Sequence, residues 1–121
     1  MTAQPVFEVT RERGVLVVTP VRGFVSLVDE GVQSEVELIV AHFRQASLKT
    51  VVIDMENVRL FGSEMLEIVL EFWKELGKDA GRVALCNLPA PGREVMAISG
   101  LDTLCSLYPS KETALQAVRQ R

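Results

Sequence analysis

Two short runs near the start of the chain, Val6-Phe7-Glu8-Val9-Thr10 and Val15-Leu16-Val17-Val18-Thr19, are rich in β-branched residues and broken by polar ones. The polar stretch Arg11-Glu12-Arg13-Gly14 separates them and ends in glycine, which predicts a β-hairpin. Pro20 has no N–H to give to a ladder, so the second strand should stop there. Arg22-Gly23-Phe24-Val25 then reads as a loop. Beyond it the apolar spacing lengthens: Val32, Val36, Ile39, Val40 and Phe43 recur at intervals of three and four, a single buried stripe on a helix. Glu35, Glu37, Arg44 and Gln45 lie off that stripe. This first helix is expected to begin near Ser26, whose hydroxyl can cap it, with Asp29 three residues on.

The central stretch opens with Val51-Val52-Ile53, too short for a helix and suited to a strand buried on both faces. Asp54 ends the run, Glu56-Asn57 turn the chain, and Leu60-Phe61 return to apolar character. Gly62-Ser63 lead straight into a second helical pattern, with Met65, Leu66, Ile68, Val69, Phe72, Trp73 and Leu76 as a wide apolar face. Phe72 and Trp73 are both expected in the core. Glu64, Glu67, Glu71, Lys74 and Lys78 follow the opposite face, acids first and lysines last, as the helix dipole favours. Arg82 to Cys86 predicts another strand and Pro89-Ala90-Pro91 the start of a short helix. Gly100 should end that helix in a left-handed conformation, with Leu101 as its hydrophobic contact. Leu104 to Tyr108 predicts a last strand, and Ser110 should cap a final helix, Lys111 to Val118. Two antiparallel strands followed by alternating helix and strand predict an α/β domain. Its mixed sheet has four to five strands, opens on the hairpin and is packed by about four helices.

Composition narrows the function. The 121 residues are 48% hydrophobic and 24% charged, enough apolar content for one domain spanning 1–121. The formal net charge is −3 with Lys and Arg scattered, whereas a nucleic-acid surface needs a basic patch. No run approaches the roughly 20 apolar residues that cross a bilayer, and MTAQPVFEVT has neither the basic nor the apolar region of a secretion signal. Cys86 and Cys105 sit inside apolar runs without metal-ligand spacing, and are expected to be reduced core residues of a cytoplasmic protein.

Catalytic patterns are absent. There is neither a G-x-G-x-x-G after a strand nor a phosphate-binding G-x-x-x-x-G-K-[ST], and no metal-spaced Cys/His/Asp cluster. The only histidine, His42, stands beside Arg44 without triad partners and is expected at the surface. Asp54 ends the central strand, where a response-regulator receiver carries its phospho-accepting aspartate. A receiver also needs an acidic pair after its first strand and a lysine ending its last. Here Arg11-Glu12-Arg13 and Leu104 to Tyr108 supply neither. Asp54 is therefore expected to shape its loop by accepting hydrogen bonds from nearby backbone N–H groups. The protein is not expected to be an enzyme, and no cofactor or metal is expected.

Ser63 has two readings. Serine before a helix is commonly an N-cap, although Leu66 stands where a reciprocal capping box wants an acid. It can also be a phosphate acceptor. Phosphorylation there adds a charge of about −1.5 to −2. The free N–H groups of a helix start tolerate it, but a partner pressed against that surface does not.

The stretch VVIDMENVRLFGSEMLEIVLEFWKELGKDAGRVALCNL, continued by PAPGREVMAISGLDTLCSLYPSKETALQAV, resembles the STAS domain of bacterial anti-sigma-factor antagonists. The likeness covers nearly the whole chain. It rests on the strand with Asp54, the serine opening helix two, the Gly81-Arg82-Val83-Ala84-Leu85 strand and the Ser99-Gly100-Leu101 helix end. The resemblance implies the STAS fold and a bacterial, cytoplasmic signalling module that regulates transcription. It implies a partner that is both anti-sigma factor and serine protein kinase, which phosphorylates Ser63 to end the complex, and a serine phosphatase that reverses this. Nucleic acid and membrane insertion have no part in that expectation, and a monomer or weak dimer does. The partner-binding residues expected are Gly23, Phe24, Val25, Asp54, Phe61, Gly62, Glu64 and Met65. Two runs depart from the family: Gly62-Ser63-Glu64-Met65-Leu66 replaces the usual Asp-Ser-Ser/Thr/Ala-Gly-Leu, and Gly23-Phe24-Val25-Ser26 replaces a Gly-Glu-Leu-Asp loop. They keep an alternative open: a non-phosphorylated STAS interaction subunit of a larger assembly, such as a lipid-transport ABC complex or a stress-sensing complex. Phe24, Val25, Phe61 and Met65, expected to be exposed, then form its apolar docking patch.

Overall fold

The computed structural model describes residues 5–78 and 80–119. Strands β1 (Phe7–Glu12) and β2 (Val15–Pro20) form the hairpin, and helix α1 (Val32–Gln45) leads to β3 (Thr50–Asp54). Helix α2 (Ser63–Gly77), β4 (Arg82–Cys86), α3 (Ala90–Ser99), a 3-10 turn (Leu101–Thr103), β5 (Ser106–Tyr108) and α4 (Lys111–Arg119) complete the order. The five strands form one sheet in chain order, β1-β2-β3-β4-β5, antiparallel at β1-β2 and parallel elsewhere.

That order decides where the helices go. A crossover between parallel neighbours is right-handed, and successive steps in one direction put α1, α2 and α3 on the same face. On that face Leu16, Val18, Val51, Ile53, Val83 and Leu85 pack with Val40, Phe43, Ile68, Phe72 and Met96. The opposite side chains, Val15, Val17, Val52, Ala84 and Cys86, pack with the stripe Ala114, Leu115, Val118 of α4, with Tyr108 of β5 against them. Period-2 alternation in the strands and 3.6 in the helices account for both layers.

The hairpin is tighter than the sequence suggested. Glu12 pairs with Val15 and Arg11 with Leu16, so the strands run through the polar stretch. Only Arg13 and Gly14 remain as the turn, both with positive φ, 56° and 80°, as a two-residue type I′ connection requires. Helix α1 starts later than expected. Ser26 is buried and spends its groups locally: its carbonyl accepts the Asp29 N–H at 3.1 Å and its hydroxyl accepts the Val28 N–H at 3.4 Å. Gly31, at φ 83°, is the residue from which the helix begins. The last strand is shorter than Leu104 to Tyr108, because the N–H groups of Leu104 and Cys105 still bond the Leu101 carbonyl of the 3-10 turn. Ser110 does cap α4, accepting the Thr113 N–H at 3.1 Å. Gly100 ends α3 at φ 79°. His42 is at the surface, and Cys86 and Cys105 are buried free thiols.

Trp73 is not in the core. It is 36% exposed, while Phe72 is fully buried. The buried arc of α2 runs through Met65, Ile68, Val69, Phe72 and Leu76. Trp73 follows Phe72 by one residue, about 100° around the helix, and so leaves that arc.

Glu35 has a role its place off the α1 stripe did not suggest. Its carboxylate accepts the Val6 N–H through both oxygens, at 2.8 and 2.9 Å, and the Phe7 N–H at 3.0 Å. Val6 and Phe7 are buried, so these N–H groups have little recourse to water. Glu35→Ala is expected to destabilise the domain by about 1.5–3 kcal/mol, the range for hydrogen bonds to a charged group. Amide exchange at Val6 and Phe7 should accelerate more than at β3. Unchanged exchange at both amides would refute the tether.

Candidate functional site

The site lies at the end of the sheet where β3 and β4 finish. β3 ends at Asp54, and the Met55 N–H donates to the Cys86 carbonyl at 2.9 Å, holding the chain to β4 for one more residue. A turn closes with the Val58 N–H on the Met55 carbonyl at 2.9 Å. The Gly23 carbonyl then accepts two N–H groups, Arg59 at 2.9 Å and Leu60 at 3.1 Å, which ties the β2–α1 loop to the segment ahead of α2. A Cβ on Gly23 would touch the Arg59 side chain at 3.4 Å.

Phe61 next turns inward. It is 5% exposed, and a Cβ on Gly92 would lie 3.1 Å from its ring, so the first turn of α3 is packed directly on it. Gly62, extended at φ −131°, caps α2 without any side-chain bond. Ser63 is therefore the first residue inside the helix. Its hydroxyl makes no cap: it is exposed and donates to the Glu64 carboxylate at 3.3 Å. The first backbone bond at the start of α2 joins the Leu66 N–H to the Gly62 carbonyl at 3.0 Å. The amides ahead of Leu66 have no partner within the helix, which gives this end its partial positive charge.

The expected partner-binding residues divide into two groups. Phe24 and Glu64 are exposed and Gly23 and Gly62 half-buried; Gly62 and Glu64 flank Ser63 in the chain, and the Gly23 carbonyl is tied to Arg59 and Leu60, a few residues ahead of it. The apolar patch is corrected: Phe24 is 41% exposed, but Val25, Phe61 and Met65 are 5% exposed or less and belong to the core. Its exposed partner is Leu60, at 60%. The pair Leu60-Phe61 has one residue out and one in, and a two-residue apolar run carries no period to say which.

Asp54 is 3% exposed and pairs with Cys86 in the sheet register, on the face that α4 covers. It does shape its loop as expected. Its Oδ1 accepts the Glu56 N–H at 3.1 Å and, from across the sheet, the Asn87 side-chain amide at 2.9 Å. Asn87 holds a left-handed φ of 57° to reach it. Sequence reasoning missed Asn87, because a bond between residues 33 apart leaves no local signal. Burial pushes the Cys86 thiol up to about 12, and the adjoining Asp54 carboxyl adds to the rise; burial alone raises Cys105 to about 11. At neutral pH both are protonated thiols and poor nucleophiles.

The STAS domain family model matches residues 7–114, from the first residue of β1 into α4. The chain belongs to the STAS domain family. Solved STAS structures share the whole architecture. An anti-sigma factor antagonist from Mycobacterium paratuberculosis is 30% identical, with a TM-score of 0.76 over 93% of this chain and 92% of its own. An anti-sigma-factor antagonist (STAS) domain protein from Planctomyces limnophilus is 31% identical, with a TM-score of 0.64 over 92% and 96%. The anti-sigma factor antagonist SpoIIAA in its unphosphorylated form is 25% identical, with a TM-score of 0.73 over 95% and 97%. SpoIIAA of Bacillus, a cell fate determinant, is also similar in its phosphorylated form, at a TM-score of 0.63 over 93% and 98%. No curated protein matches by sequence. Among the described residues, no helix is long and apolar enough to cross a membrane.

Proposed function

We propose that this STAS domain is an anti-sigma-factor antagonist, a non-enzymatic module of the bacterial cytoplasm. It sequesters an anti-sigma factor that is also a serine protein kinase, and phosphorylation of Ser63 dissolves the complex until a serine phosphatase restores it. The observation that carries this reading is the Ser63 hydroxyl. It stands exposed on the first turn of α2 with no capping duty, three residues after the exposed Leu60. A kinase can reach it, and a phosphate there costs the fold little, because the helix start favours an anion.

A partner seated on the same surface meets a different balance. The phosphate would stand with Glu64 and Glu67 on the first turns of α2, and desolvating like charges at an interface costs several kcal/mol. Ser63→Asp is therefore expected to weaken binding to the cognate kinase by about 100-fold. Unfolding stability should stay within about 0.5 kcal/mol of wild type, as for other exposed substitutions. Titration calorimetry against the kinase, with Ser63→Ala as the neutral control, checks both. Equal affinity for the wild-type and Asp forms would sink the switch.

A second reading follows from the Glu64 carboxylate, which holds the Ser63 hydroxyl at 3.3 Å. An acid so placed competes with a kinase for that hydroxyl and fits a non-phosphorylated subunit of a larger assembly. Protein isolated from its own cells with Ser63 unmodified, together with a transporter ATPase and no anti-sigma kinase, would favour it.

A further inference from the structure

Midway along α2, on its outer face, lies a groove of about 380 Å³ lined by Leu27, Glu67, Leu70, Glu71, Trp73 and Lys74. Trp73 and Leu70 are 36% and 37% exposed, and Val28, next to Leu27, is 89% exposed. Trp73 is about 15 Å along the helix axis from Ser63, at 1.5 Å per residue. We infer that this groove is a second docking surface and that it takes a cationic amphipathic helix.

Three observations select that occupant. Trp73 has about a third of its surface in water although Phe72 beside it fills the core, and tryptophan in a groove is a favoured anchor for a partner. The lining carries more acid than base: Glu67 and Glu71 against Lys74, with Glu64 one turn earlier on α2. Lys74, the cation among the described lining residues, lies 3.6 Å from the Glu71 carboxylate; the two charges offset each other and Glu67 sets the sign of the lining. A partner bearing lysines or arginines around an apolar stripe complements this field, and an anionic surface is repelled. Finally, residues 67, 70, 71 and 74 are spaced by three and four, forming the ridge of one helix, against which a second helix packs its own side chains. An extended peptide adds to a sheet edge, and this face presents none.

The inference reaches beyond the reading of Ser63 and does not depend on that residue. Trp73 is the only tryptophan in the chain, so its emission reports the groove directly. The probe is a tryptophan-free 18-residue Leu/Lys peptide with leucines on one helical face. Adding it should shift the emission to the blue with saturation, equally for wild type and Ser63→Asp. The same peptide with glutamate for lysine should give no shift, and a scrambled order should bind at least tenfold more weakly. Leu70→Ser and Glu67→Lys should each weaken binding by about tenfold or more. Glu112→Lys, an equal charge change on exposed α4, should leave it unaltered. Absence of a saturable shift would overturn the proposal. So would equal binding of the scrambled peptide, equal loss with Glu112→Lys, or the same shift with anionic phospholipid vesicles.

Discussion

Phe72→Ala is expected to destabilise the domain by about 3–5 kcal/mol, the usual cost of emptying a buried phenylalanine site. Phe72 has no exposed surface and belongs to the larger core layer. Its ring meets that of Phe7 edge-on, with centroids 6.1 Å apart and planes at 84°, an arrangement that adds to simple burial. Phe7 begins the outermost strand, whose only neighbour in the sheet is β2. The substitution therefore opens a cavity and also loosens an edge. A urea titration should show the midpoint falling steeply with an unchanged slope. A loss below about 1 kcal/mol would mean that surrounding side chains collapse into the space.

Gly81→Ala and Gly77→Ala, four residues apart, are expected to have opposite signs. A Cβ on Gly81 would stand 2.8 Å from the Leu76 carbonyl oxygen and 3.1 Å from the Phe43 ring. That carbonyl is also where the Gly81 N–H donates, at 2.8 Å, so backbone faces backbone and neither can withdraw without detaching α2 from β4. Overpacking of this kind costs about 1–3 kcal/mol, and a fixed main-chain neighbour argues for the upper end. Among the described residues nothing lies within 4 Å of a Cβ on Gly77, the last residue of α2. There alanine gains helix propensity, up to about 1 kcal/mol. Thermal melts of both variants test the pair, and equal losses would refute the steric account.

Wherever a period was present, the fold could be read from the chain. The two strand-like runs became β1 and β2, the three-and-four spacing of Val32 to Phe43 became α1, and β4 fell on Arg82 to Cys86 as expected. Stretches without a period gave mixed results: Gly100 and Ser110 ended and capped their helices as expected, and others did not. Ser26 has the composition of a cap but closes a turn, since only its carbonyl and hydroxyl partners in space tell the two apart. Val25, Phe61 and Met65 are apolar residues beside a loop, and their burial depends on elements distant in sequence; Gly92 on Phe61 is one case. Trp73 erred in the other direction, because a wide apolar face on α2 exceeds what the sheet below it can cover. Within the site, the serine and the helix it opens were legible, whereas the Asn87–Asp54 bond depends on tertiary structure alone.

Strand order that follows chain order has a consequence for how the domain comes into being. On the ribosome, each new strand finds its pairing edge already laid down by the one synthesised before it, and no later segment must thread between earlier ones. Each parallel pairing closes a single crossover, so loop-closure entropy is met one step at a time. The nascent chain can build its sheet in one direction, with α4 arriving last to seal the remaining face.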